Sequence, residues 1–353
     1  MPPHVQQLFA GKSLPLLDGE AHCERKRVVN QAFTRAAMAD YLPQMQSSIE
    51  VAFRRWAAAG EVRWLEEMKR LSIEVICSTI MGLHPGNEMD ALRHDYEIVL
   101  NGFATLPINI PGTRYNKALK ARDRIMEFFR ETVRVRRNSP SGDGLSRILA
   151  AGPDLSVEDA ALELHHIVIA GFIVFGELGA IVRQLTDHPG VREKLEAEVA
   201  GSASFESMPY LMQVVSEVKR LTPIVPGVFG IAKEGFQLDG MTVPAGWTIL
   251  WTVTPTHVAH GVYSDPLRFD PERFSPQRAE DRRHEHAFVP QGAGPVTGHR
   301  CPGLDFASVL MSVFTVVLLR GYRWELPSQN FELDYSKVPP EPRGGLRAQV
   351  RAR

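Results

Sequence analysis

With 353 residues, 44% of them hydrophobic, the chain can bury a substantial core as one large or two ordinary domains. Lys+Arg 40 against Asp+Glu 41 leaves no basic field, which argues against a nucleic-acid partner. The 3 cysteines, at positions 23, 77 and 301, are too few and scattered for a disulfide framework or a zinc cluster and suit a reducing cytoplasm.

Val5 to Leu17 is mixed in polarity and broken by Gly11 and Pro15, so neither a signal peptide nor a membrane anchor is expected there. In GEAHCERKRVVNQAFT, residues 19 to 34, His22 and Lys26 lie four apart on one helical face and can hydrogen-bond a buried anion. Apolar periodicity predicts helix over Arg35 to Met81, Lys117 to Arg137 and Val157 to Leu185, with shorter helices near 191 to 199 and 208 to 221. NSPSGDG, 138 to 144, reads as a loop between helices.

Strand signals are few. Phe236 to Val243 reads as a hairpin turning at Asp239-Gly240, Trp247 to Thr252 as a further strand, and Leu346 to Arg351 as a terminal one. The fold class is therefore mainly α with small peripheral β-sheets, expected as a single domain over 1–353.

Chemistry concentrates near the C-terminus. In SEVKRLTP, 216 to 223, Glu217 and Arg220 stand three apart on one helix and can pair; FDPERF, 269 to 274, offers Arg273 as a third member. FVPQGAGPVTGHRCPG, 288 to 303, presents Cys301 from a Gly/Pro-rich loop just before the apolar helix Leu304 to Arg320. A thiol at a helix N-terminus is expected to have a lowered pKa and to serve as a metal ligand. Glycines such as Gly294 let backbone approach something flat and bulky.

In this order and spacing, these segments resemble the cytochrome P450 superfamily of haem-thiolate enzymes over essentially the whole chain. IPGTRYNKALKAR (110 to 122), LTPIVPGVFGIAKEGFQLDGMTVPAGW (221 to 247) and THVAH (256 to 260) look most like its retinoid-oxidising branch. The resemblance implies haem b, with Cys301 as iron ligand and Glu217, Arg220 and Arg273 locking the core behind it. His22, Lys26 and His299, with Arg300 nearby, are the implied propionate partners. Ala170 and Gly171 match the small residues where the distal helix meets the porphyrin. A lipophilic substrate, a ferredoxin or reductase as electron donor, and a cytoplasmic protein follow as expectations.

The departures from the family pattern concern the chemistry. The family's acid and alcohol positions fall on Ile173 and Val174, so the distal helix carries no proton-relay side chain there; Glu177, one turn on, is a candidate substitute through water. Gln291 stands where a phenylalanine usually covers the sulfur, in a cysteine loop longer than usual. The PQGxG and GHRCPG elements look like the peroxygenase branch, yet no arginine occurs between 162 and 182. Where the family places an arginine for the propionates, the chain has Gly230, which predicts weak haem affinity. The usual N-terminal helix, strands and covering loop are missing ahead of His22. Phe103, Phe172, Ile173, Val174, Val225, Val228 and Phe229 are the expected pocket lining. His165 and His166 read as ordinary core or surface histidines. The leading function is oxidation of a terpenoid, fatty acid or similar lipophile. Alternatives are peroxide-driven oxygenation, a non-oxidative prenyl rearrangement or cyclisation, and a non-catalytic haem-binding relative.

Overall fold

A computed structural model describes residues 1–353. Helices dominate, as the periodicity requires. Capping fixes where several begin: the Thr34, Thr113, Asp143 and Ser156 side chains accept the N–H of Ala37, Asn116, Ser146 and Asp159 respectively. The segment read as one helix over 35 to 81 is two, Arg35–Ala59 and Trp64–Met81. Gly60, at φ 76°, ends the first, and the strand Glu61–Arg63 separates them. A helix at Asn87–Phe103, which the sequence reading did not assign, packs antiparallel beside Arg114–Asn138. Pro189–Gly201 and Pro209–Leu221 supply the two shorter helices.

The long apolar segment from Val157 is interrupted. It forms Val157–Phe172 and Phe175–Asp187, with Ile173 and Val174 between them. The Val174 N–H bonds the Gly171 carbonyl three residues back at 3.4 Å, so the Ala170 carbonyl lacks its regular helical donor. These helices, Trp64–Met81 and the largely buried Leu304–Gly321 form the centre of a core of 73 buried residues. Both the 157–187 stretch and Leu304–Gly321 are long and apolar enough to cross a membrane, yet 78% and 61% of their most apolar windows are buried within the protein.

The sheets are small and antiparallel. The terminal strand Arg347–Ala352 lies between Glu61–Arg63 and Tyr322–Glu325. Phe236 pairs Val243 in the expected hairpin, where Asp239 and Gly240 take φ 47° and 79°, both positive as a tight two-residue turn needs. Thr248–Thr252 pairs with Gly227–Ile231, a strand that glycine and proline neighbours concealed in the sequence.

Candidate functional site

Leu304–Gly321 begins directly after Cys301-Pro302-Gly303 and carries the cysteine loop at its N-terminal end. The loop is tied from within: the Cys301 N–H donates to the Gln291 carbonyl at 2.9 Å. Gly292, at φ 90°, is where chain meets chain, because a Cβ there would stand 3.4 Å from the Arg300 Cα. Gly294, at φ 83°, is exposed with no protein atom near its missing Cβ, and it turns the loop outside the slot lining.

Across from the sulfur stands the interrupted helix. Cys301, Pro302, Gly303, Gln291, Phe306 and Ala307 form one side of a slot. His166, Ile167, Ala170, Gly171 and Val174 form the other, with Phe33 and Ile76 completing the lining. Gly171 has a second role, since a Cβ on it would come within 2.4 Å of the Ile76 side chain. Its missing side chain lets the helix Trp64–Met81 close against the distal helix.

The thiol's environment corrects one expectation. Burial pushes the Cys301 thiol up, and the Gly303 N–H and the ammonium groups of Lys26 and Lys219 only partly offset this. A helix start alone does not make a thiolate in a buried apolar slot; a bound cation would.

Basic groups gather at one rim. His22 and Lys26 are buried on Gly19–Val29, and the Lys26 ammonium donates to the Arg300 carbonyl. The His22 and His299 rings lie 3.9 Å apart, with Asp18 Oδ1 3.6 Å from His299 Nε2. Burial, then His299 and Lys26, hold the His22 pKa down, so the cluster favours an incoming anion. The Arg300 backbone, not its side chain, makes the contact recorded here.

Behind the loop, Glu217, Arg220 and Arg273 are fully buried and joined. Arg220 forks onto Glu217 at 2.6 and 2.8 Å, and Arg273 Nε donates to Glu217 Oε1 at 3.0 Å. Arg273 also reaches Glu280 at 2.8 Å. Burial opposes the Glu280 charge, but bonds from Arg278, the Ser264 N–H and Arg273 hold its pKa at about 2. His257 links this network to the loop: its Nδ1 lies 2.9 Å from the Arg220 carbonyl, and its Nε2 accepts the Val289 N–H at 3.0 Å.

Several expected lining residues lie elsewhere. Phe172 is buried against Tyr96 and Phe175, Phe103 packs on Phe9, and Ile173 points into the core. Val225, Val228 and Phe229 are exposed. They fall on or beside a two-stranded sheet with no protein layer over it, a tertiary fact that local sequence does not carry. Of the seven, only Val174 lines the slot. His165 is a satisfied core histidine, 3.1 Å from the Tyr96 hydroxyl and 2.9 Å from the Leu8 carbonyl. His166, by contrast, faces the slot one turn before Ala170, a spacing that could have singled it out. Glu177 is buried with Oε2 unpartnered, and burial pushes its acid up while Lys219 pulls it down.

The Cytochrome P450 family model matches residues 1–344. This chain is a cytochrome P450. It is 29% identical to cytochrome P450 120 of Synechocystis sp., over 99% of this chain and 81% of that protein. It is also 29% identical to cytochrome P450 26B1 of Danio rerio, over 99% of this chain and 73% of that protein. Retinoic acid bound cyanobacterial CYP120A1 superposes with a TM-score of 0.92 at 28% identity, covering 100% of this chain and 84% of that one. A variant of cytochrome P450SP alpha (CYP152B1) shares the fold at a TM-score of 0.86 and 23% identity, over 100% and 85% of the two chains. The cytochrome P450 cofactor is haem b, and the slot's donor set suits it. A half-buried cysteine stands on one wall, the Ala170 methyl on the other, apolar side chains lie between, and basic groups sit at the rim.

Proposed function

We propose that this cytochrome P450 hydroxylates a lipophilic small molecule of the terpenoid, fatty-acid or retinoid-like class. In this reading Cys301 is the proximal iron ligand, and His22, Lys26 and His299 meet the haem propionates. The carrying observation is that the slot sets the single cavity-facing thiol of the chain opposite Ala170 and Val174. The substrate class is supported by the apolar wall and by relatives whose names speak of retinoic acid, and of abscisic acid in a rice 8'-hydroxylase at 29% identity.

Bound haem supplies an iron that takes oxygen from an oxidant and delivers it to a C–H bond. The chain's own residues do the rest. The Gly303 N–H and two lysines stabilise charge on the Cys301 sulfur, the Glu217 network fixes the loop's position, and the Ile167 and Val174 side chains help keep water from the distal face. Ile173 and Val174 hold no proton. That favours, as a second reading, a peroxide-driven reaction in which the oxidant brings its own protons and electrons: R–H plus H2O2 gives R–OH plus H2O. A ferredoxin or reductase is needed only in the dioxygen reading.

The test is incubation of purified, soluble protein with lipid and prenyl substrates under four conditions: electron donor with dioxygen, peroxide alone, neither, and anaerobic. Hydroxylated product only with donor supports the dioxygen reading; product with peroxide alone supports the second. Isomerised product without either oxidant would replace both with a rearrangement.

A further inference from the structure

The distal wall of the slot holds one polar side chain that the proposed reaction leaves unused. His166 stands there among Ile167, Ala170, Gly171 and Val174, while the slot's other polar side chains, Gln291 and Cys301, lie on the opposite side. Three residues before it on the same helix, Glu163 is fully buried. Its Oε1 is occupied, because the Leu14 N–H and Arg25 Nη1 each donate to it at 2.9 Å. Its Oε2 has no hydrogen-bond partner and neither has His166 Nδ1, although the two atoms stand only 3.5 Å apart.

The two orphans account for each other. Buried polar atoms are rarely left alone, and a carboxylate oxygen can only accept, so the nitrogen beside it carries the proton. That fixes the tautomer. Nε2 is then the nitrogen without a proton; unlike Nδ1 it is not closed off, and no protein donor reaches it. The ring therefore offers the slot an acceptor. On an otherwise apolar wall this lone pair is satisfied by an O–H and left unpaired by an ether or an aldehyde. A carboxylate would meet the same lone pair with the Glu163 charge behind it, and Arg25 divides its own charge between Glu163 and Asp159.

We propose that His166, held by Glu163, is the specificity residue of the distal wall and selects a lipophile carrying a hydroxyl group over the matching ether, aldehyde or acid. Glu163 is its positioning residue. This names the polar end of the substrate and rests on the reading of the slot as a haem site that serves a lipophile.

The experiment titrates haem-loaded wild type, His166→Leu and Glu163→Gln with the alcohol, methyl ether, aldehyde and acid of the farnesyl, geranylgeranyl and dodecyl skeletons. Binding is read as the Soret shift that each ligand induces. In the skeleton that fits, wild type is expected to bind the alcohol about tenfold more tightly than the ether, as one neutral hydrogen bond allows. His166→Leu should erase that preference by weakening the alcohol. Glu163→Gln should erase it in another way: Leu14 and Arg25 keep the amide oxygen at the Oε1 position, the NH2 then faces Nδ1, Nε2 takes the ring proton, and ether and aldehyde tighten toward the alcohol. The proposal is overturned if wild type binds alcohol and ether alike, binds an acid most tightly or binds none of the alcohols, or if the preference survives either substitution. Should Glu163→Gln not fold, wild type and His166→Leu still decide. Failure of the underlying reading looks different, since the reduced wild type with carbon monoxide would then lack the thiolate-type Soret band.

Discussion

The two sides of the slot are built on opposite principles. The cysteine side rests on a buried polar lattice: Glu217, Arg220, Arg273, Glu280 and His257 satisfy one another over short distances. The distal side is apolar and interrupted, with Val174 and Ala170 on the wall and Ile173 turned inward. One side is thus tied by a dense hydrogen-bond lattice, while the other presents apolar side chains to the slot and keeps its polar anchors, His165 and Glu163, on other faces of the helix. In the proposed reading, the iron's protein ligand is tightly fixed, while protons for an oxidant would have to come from water, the oxidant or Glu177.

The sharpest way to break this contrast is at its centre. Cys301→Ala is expected to abolish both turnover and the thiolate-type Soret band, measured with carbon monoxide after reduction. Retained turnover would mean that the slot's chemistry does not run through the thiol. Next in size is the lattice. Glu217→Ala strands two fully buried guanidinium groups and is expected to cost about 3–5 kcal/mol, a large fraction of the stability of an ordinary domain. Chemical denaturation checks it; a loss under about 1 kcal/mol would show that water replaces the carboxylate.

Acid should attack both sides, through His257 in the lattice and His165 on the distal helix. Burial lowers the His257 and His165 pKa values to about 4 from 6.5, so the native protein keeps both neutral while the unfolded chain protonates them. Between pH 6.5 and about 4 the unfolded state therefore binds more protons. Stability is full above that window and falls as pH drops through it, by roughly 3 kcal/mol per histidine. Denaturation midpoints at pH 7, 5.5 and 4.5 should decline in order, and a flat series would contradict neutral burial.

How much of this was legible beforehand differs between the sides for a physical reason. Cys301, Glu217, Arg220 and Arg273 announce themselves because their spacing is local and their residue types are rare in such settings. Glu280 and Lys219 do not, because a charged residue in a helix or turn ordinarily faces solvent and only the tertiary fold buries it. The distal helix was visible from its periodicity, but its interruption at Ile173 and Val174 has only the flanking Gly171 and Gly176 to mark it, and a glycine in a helix does not by itself announce a break. Pocket lining was the least legible property. Apolar side chains near a motif carry no label for slot, core or surface, so Phe172 went to the core and Val225, Val228 and Phe229 to the surface.

The distal deficit can be repaired, which gives a smaller but more specific test. Val174→Thr puts a hydroxyl on the slot wall, where it can donate to the Ala170 carbonyl left without its helical donor. Donor-driven hydroxylation is expected to rise about tenfold or more, in line with a positioned proton-transfer group, while the peroxide-driven rate stays within about twofold. Equal gains in both would mean that the substitution acts on substrate binding and not on protons.

The smallest effect is expected where the sequence suggested a large one. Phe229 sits on the strand Gly227–Ile231, paired with Leu250, and is 41% exposed. Removing a phenylalanine from a packed core costs about 3–5 kcal/mol, whereas a surface exchange usually stays within about 0.5 kcal/mol. Phe229→Ser should therefore leave the denaturation midpoint nearly unchanged, and, because the side chain does not line the slot, it should leave KM nearly unchanged as well. The two measurements separate two ways of being wrong. A lower midpoint with constant KM would mean that the sheet face is covered in solution by something that packs on it. A KM raised severalfold at constant stability would mean that this strand closes over the slot when substrate binds, and that the apolar distal side extends further than its static wall.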